Sequence, residues 1–321
     1  MAVFLKGWWR RTSKEQGEDE GEEGLMSRRL GSVEEARALE AINGVAVAVL
    51  DARCRPLPDR TQDVVHWRAR SATGFLTETS ASLIDVLVAD WLCVRDVLHT
   101  THTRLAAHLR ALWRAAARPG APTEHTVPAL YRPDANPPVH LTLELRRYNA
   151  PQWSPFGPLP LRCTLSTSAT SSAPTTTKEE PPREHFWDSE LHVTNAALGL
   201  TVVVAAGVVD LVAELGFYEG GADNPYRVDP LLLAAALTYA PGLAVRPPWM
   251  AAAAARAEAV GEARAAALAR EAAPLVARAQ QDADAEAAAW LVQFHAHLDA
   301  QQAHERDTWR RIQQRLLDDE G

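Results

Sequence analysis

The sequence predicts an α+β fold, with a small antiparallel sheet packed on a long helix and an all-helical C-terminal half. Residues 82–117 place Ile84, Trp91, Leu98, Leu105 and Leu112 at seven-residue steps, the spacing of a helix that packs on other helices. Residues 140–146 alternate Leu141, Leu143 and Leu145 with polar groups, the period of a half-buried strand. From Pro247-Pro248 almost to the end, alanine-rich sequence favours continuous helix.

In chain order, residues 1–31 are expected to be a disordered tail. Its aromatic-basic start (Phe4, Trp8, Trp9, Arg10, Arg11) has too short an apolar stretch for a signal peptide, and the acidic run that follows does not suit a transit peptide. Such a segment would also suit a lipid headgroup surface. Order is expected from Ser32, where Ser32 and Glu35 form a capping box, with Asn43-Gly44 as a left-handed stop. The apolar, β-branched run 45–50 is predicted to be a buried strand, and 64–71 its antiparallel partner.

The long helix begins at a Ser82 cap and ends before Pro119-Gly120. Its second apolar row, Leu87 and Val94, turns polar at Thr101 and His108. The half from Thr101 to Leu112 is therefore the expected partner surface, and the half from Ile84 to Leu98 the expected core. Residues 159–165 alternate like 140–146 and predict a second strand. The Ser/Thr/Pro-rich segment 166–183 has nothing to bury and reads as a linker between an α+β domain (32–165) and a helical domain (184–321). In the latter, Asn195 is the expected cap of a helix over 196–215, and Asp229-Pro230 opens another over 231–240. Pro274 is expected to break or kink the long C-terminal helix.

Composition bounds the function. The 321 residues are 47% hydrophobic and 23% charged, enough for a sizeable core. A net charge of −8 argues against a dedicated nucleic-acid binder, which needs clustered Lys and Arg. Arginine over lysine (only Lys6, Lys14 and Lys178) and abundant alanine are what a GC-rich genome produces. Cys54, Cys93 and Cys163 are odd in number and far apart. They fit neither a disulfide framework nor a zinc site, and point to a reducing, intracellular compartment such as the cytoplasm. Residues 196–209 carry no charge, but a span needs about 20 residues, and Asp210 opposes insertion. A buried helix is expected there; an organelle-membrane hairpin over 196–245 is the alternative.

Catalytic signatures are missing. There is no Gly-x-Ser-x-Gly elbow and no Gly-x-x-x-x-Gly-Lys phosphate loop. His99 and His102 would lie one turn apart on a continuous helix, with Asp96 a turn earlier and His108 further on, but a metal would need a third and fourth ligand from elsewhere. Cys163 and His140 on neighbouring strands could form a thiol–imidazole dyad, but a thiol among leucines is ordinarily core. His185-Phe186-Trp187-Asp188 is either a docking motif or the re-entry of the chain into a core. No cofactor is implied. The expectation is a non-catalytic interaction or assembly protein, with a protein partner or a second copy bound through helical faces at Trp91, Leu98, Leu105, Leu112, Trp187 and Trp309. An enzyme of unrecognised type is the other alternative.

Overall fold

In the computed structural model the described residues are 36–37, 39–40, 44–55, 75–76, 81–153, 156, 186–218, 220, 227–282 and 285–318. The tail, the Ser32 capping box, the strands expected at 64–71 and 159–165, and the linker 166–183 lie outside them. The elements are α1 (Val47–Cys54), α2 (Leu83–Leu92), a π-turn (Cys93–Val97), α3 (His102–Ala116), β1 (Glu124–Val127), β2 (Val139–Trp153), β3 (Phe186–Asn195), β4 (Leu200–Ala205), α4 (Ala206–Leu215), α5 (Pro230–Ala236), α6 (Met250–Asp282) and α7 (Ala285–Leu317). The fold is mixed α+β, as expected.

Four strands form an antiparallel meander in the order β1-β2-β3-β4. Leu141 and Leu143 of β2, Leu191 and Val193 of β3, and Leu200, Val202 and Val204 of β4 are buried. Helices α3, α4 and α5 cover that face. The opposite face is polar, with Thr194 and Thr201 sharing a cross-strand hydrogen bond of 2.9 Å. The β2–β3 register shifts between Arg147 and Gln152, a stretch that contains Pro151 and so lacks one ladder donor. Strands β2 and β3 pair across 166–183. The change in composition there is no break in the sheet, and one continuous core includes residues from both sides of it.

Several sequence expectations are corrected. Residues 47–50 of the run 45–50 open helix α1 rather than a strand: Leu50 and Cys54, four apart, face the core, and the Glu40 carboxylate accepts the Val47 amide at 3.0 Å. Residues 196–215 are not one helix. A tight turn at 196–199, with Gly199 at φ 76°, leads into β4, whose Thr201–Val204 run is β-branched. Asn195 is not a helix cap. It is fully buried, its amide donating to the Ala236 and Tyr239 carbonyls and its Oδ1 accepting from the Leu198 amide.

The long helix 82–117 is two helices. Ser82 caps α2 by accepting from the Asp85 amide. The chain then widens into the π-turn, where the Leu98 amide bonds the Cys93 carbonyl five residues back. His99 takes a left-handed φ of 50°, and the Thr101 hydroxyl accepts from the Arg104 amide to start α3 afresh. Asp229 does cap α5, accepting from the Leu231 and Leu232 amides.

Helix α6 runs through Pro274, which lies on an exposed face where water can take the carbonyl it frees. The chain reverses only after Asp282, so α6 and α7 make an antiparallel hairpin of two 33-residue helices. Its base is bound to the core through Ala253, Ala254, Ala257, Trp309, Ile312 and Leu316. At Gly261 a Cβ would stand 2.6 Å from Trp309 Cβ, so only glycine lets the helices approach this closely. The hairpin is further tied by Gln313 donating to Glu258 at 3.0 Å. Among the described residues no helix is long and apolar enough to cross a membrane.

Gly261→Ala gains roughly 1 kcal/mol of helix propensity, but the clash with Trp309 costs about 1–3 kcal/mol. The variant should therefore show a lower melting temperature, with α6 and α7 losing amide-exchange protection before the sheet does.

Candidate functional site

The break between α2 and α3 leaves room that a continuous helix would have filled. A cleft of about 340 Å³ opens there, walled by Leu98, His99, Thr100 and Arg104 on one side and by residues 130–135 on the other, with Ala234 and Trp249 closing it. The two non-glycine residues with positive φ among those described, His99 (50°) and Arg132 (48°), both line it. Such backbone strain persists only where the surroundings enforce it.

The opposite wall is held from below. Asn136 is buried and donates to the Tyr131 and Val245 carbonyls, both at 3.0 Å, while accepting the Val245 amide at 2.8 Å. The Leu130 amide reaches the Leu237 carbonyl. Tyr131 and Trp249 meet edge to face at 6.3 Å. Trp249 is 4% exposed, yet its indole N–H has no hydrogen-bond partner, and neither has the Thr100 hydroxyl. The guanidiniums of Arg104 and Arg132 form no ion pair with a carboxylate among the described residues.

A buried ionic cluster lies on the other side of the break. Arg227 grips Asp90 with two nitrogens and also donates to the Gly220 carbonyl. Asp229 accepts from Arg256 and stands 3.8 Å from Arg227 Nε. Burial pushes the Asp90 carboxyl up to about 6 despite Arg227. Burial likewise pushes the Cys93 thiol up to about 12, so it is held protonated and unreactive. His102 shares a 2.9 Å hydrogen bond with the Tyr218 hydroxyl, and burial pushes its imidazole down to about 4. His108 is pushed equally low by burial. Cluster and cleft are framed by the same pieces, the π-turn and α5.

The expected site residues are dispersed. Leu98, Leu105 and Leu112 are buried in this chain's own core, so the half from Thr101 to Leu112 is covered rather than offered to a partner. Trp91 is half-buried beneath the Arg95 guanidinium, 3.6 Å from its ring centre. Trp309 is buried inside the hairpin under Arg264. Trp187 stands in β3 opposite Gln152, and its side chain lies outside the described residues. His99 and His102 belong to different elements and cannot chelate from one helix face. Cys163 lies outside the described residues, and His140 bonds Thr126 on the neighbouring strand. Asp210 is buried and paired with Arg110 at 2.9 Å.

What the structure offers instead is the distal half of the hairpin. Leu275 (53%), Trp290 (41%) and Val292 (72%) stand in solvent there, and Trp290 stacks on Phe294 with ring centres 4.7 Å apart. No family model, no curated protein and no solved structure matches the chain.

Asp90→Asn leaves buried Arg227 to share with Arg256 the one carboxylate of Asp229, and should cost about 3 kcal/mol in urea unfolding. A double variant, Asp90→Leu with Arg227→Met, should recover most of that loss. The pH dependence follows from the buried groups. The unfolded chain protonates its histidines near 6.5, whereas folded His102 and His108 resist protonation down to about 4. Stability from these two is therefore lost as pH falls from 6.5 towards 4, by up to about 1.4 kcal/mol per pH unit each. Asp90 acts oppositely between 6 and its ordinary 3.8, where the folded chain takes the proton first. Urea midpoints at pH 7 and pH 5 should show the lower value at pH 5.

Proposed function

We propose that the chain is a non-catalytic assembly protein whose contact element is the distal half of the α6–α7 hairpin, and whose partner is a second copy of the same hairpin. The observation that carries this reading is the exposed apolar set Leu275, Trp290 and Val292 on an otherwise alanine-rich pair of helices. A two-helix layer has only one seam to bury large side chains in, and here the base of the hairpin uses it. Trp290 and Val292, two residues apart on one helix, point to opposite sides of α7. Two such hairpins packed face to face make a four-helix bundle, in which the exposed apolar residues on the contact side become core. Alanine at the contact lets helices approach closely, and a two-fold arrangement uses the same patch twice. The rest of the chain supports the role by fixing the hairpin's base to the core through Ile312, Leu316 and the Arg246 contact with the Leu316 carbonyl. The heptad residues of α2 and α3 serve the fold.

Mass photometry and sedimentation test this directly. The full chain should be dimeric at micromolar concentration. Val292→Asp with Leu275→Asp should weaken the dimer at least a hundredfold, as expected for removing two apolar anchors of about 1.5–3 kcal/mol each, while circular dichroism stays unchanged. A chain that is monomeric at those concentrations, or a dimer indifferent to both substitutions, overturns the reading.

A further inference from the structure

We propose that the cleft at the α2–α3 break binds a small organic anion, a compact apolar body carrying one carboxylate or phosphate. Its volume, about 340 Å³, falls in the range of small-ligand sites. Its lining divides into two parts. Leu98, Leu130, Pro133, Ala234 and the Trp249 ring give an apolar floor, while Arg104 and Arg132 give two guanidiniums against the single carboxylate of Asp134. The cleft is thus net positive whatever the state of His99, in a protein whose overall charge is −8. Local charge of the opposite sign to the whole is a feature of the site.

Three further observations point to an oxyanion. Helix α3, 15 residues long, begins beside the cleft, and Arg104 of its first turn lines it, so the positive end of the helix dipole lies near the same space. Trp249 is almost wholly buried, yet its indole N–H has no partner, and the Thr100 hydroxyl is equally unsatisfied. Buried donors are rarely left empty, because each costs the hydrogen bond it gave up in water. Finally, His99 and Arg132 both hold left-handed backbone conformations at the rim. Arg132 is pinned there by the Ala135 and Asn136 amides, which both bond its carbonyl. A guanidinium fork presented from a rigid backbone suits bidentate grip of a carboxylate or phosphate.

Titration calorimetry with three probes tests the site on the full chain: benzoate, phenyl phosphate and, as the neutral control, benzyl alcohol. Benzoate or phenyl phosphate should bind saturably at millimolar concentration or tighter, and whichever binds better identifies the head group. Arg104→Gln and Arg132→Gln should each weaken that binding about tenfold. Asp134→Asn should strengthen it. Trp249→Phe removes the N–H together with part of the buried indole; it should weaken binding several-fold and lower the melting temperature slightly through the cavity it leaves. Absence of saturable binding by both anions overturns the inference. So does equal binding of benzyl alcohol, or affinity unaffected by both arginine substitutions. Sedimentation of the same samples reports the oligomeric state separately.

Discussion

Arg227 is the residue on which the arrangement of elements turns. Its two nitrogens on Asp90 fix the end of α2, it also donates to the Gly220 carbonyl, and Asp229 beside it hands the network on to Arg256 of α6. One buried network thus joins the broken helix, the cap of α5 and the base of the hairpin. Removing such charges from water costs several kcal/mol per ion, and their attraction at best offsets that cost. The free energy of folding comes from the continuous apolar core instead. What the ion pairs contribute is register: an apolar contact tolerates a slide of one turn, whereas an unpaired guanidinium in this core does not.

The same network bears on why α2 and α3 are separate. A straight helix through 82–117 would keep the heptad residues in one row, and the π-turn spoils that row by inserting one residue. Yet Ile84, Leu98, Leu105 and Leu112 are all buried, because each half faces the core from its own direction. Asp90 reaches Arg227 from the first half and Arg110 reaches Asp210 from the second. The break is held from both sides by ion pairs to elements about a hundred residues away, and the left-handed turn at His99 is the strain that remains.

How much of this was legible in the sequence follows from how local each signal is. The alternation of Leu141, Leu143 and Leu145, the Asp229-Pro230 cap and the Ser82 cap are local, and they appear in the structure as expected. The alanine-rich stretch is helical as expected, but it passes through Pro274 unbroken and turns back only after Asp282. The errors occur where a local pattern has two solutions. A short apolar run at 45–50 packs as strand or helix, and the neighbouring Leu50–Cys54 pair decided for helix. The uncharged run after Asn195 was long enough for a helix, but four β-branched residues ending at Val204 and the Gly199 turn favour a hairpin strand. Thr100-Thr101 inside a heptad pattern was the available sign of a break, since Thr caps a helix better than it continues one. The residues of the cleft carry no such sign. Arg104, Arg132 and Trp249 are brought together from three separate stretches of the chain, one helix and two loops, by tertiary contacts alone.

Cleft and hairpin are also mechanically joined. Trp249 closes the cleft, and α6 begins at the next residue. The strand of chain entering α6 is clamped twice: Val245 by Asn136, which also anchors the opposite cleft wall, and Arg246 by the carbonyl at Leu316 of α7. A rotation of the hairpin about its base would therefore pull on Trp249 and on residues 131–136 together. Because Ala253, Ala254 and Ala257 are small, they resist such a rotation less than interdigitated large side chains would. Asn136 and the Arg256–Asp229 pair add polar restraint to the large apolar side chains of the base, Trp309, Ile312 and Leu316, and together they tie the hairpin to the cleft wall.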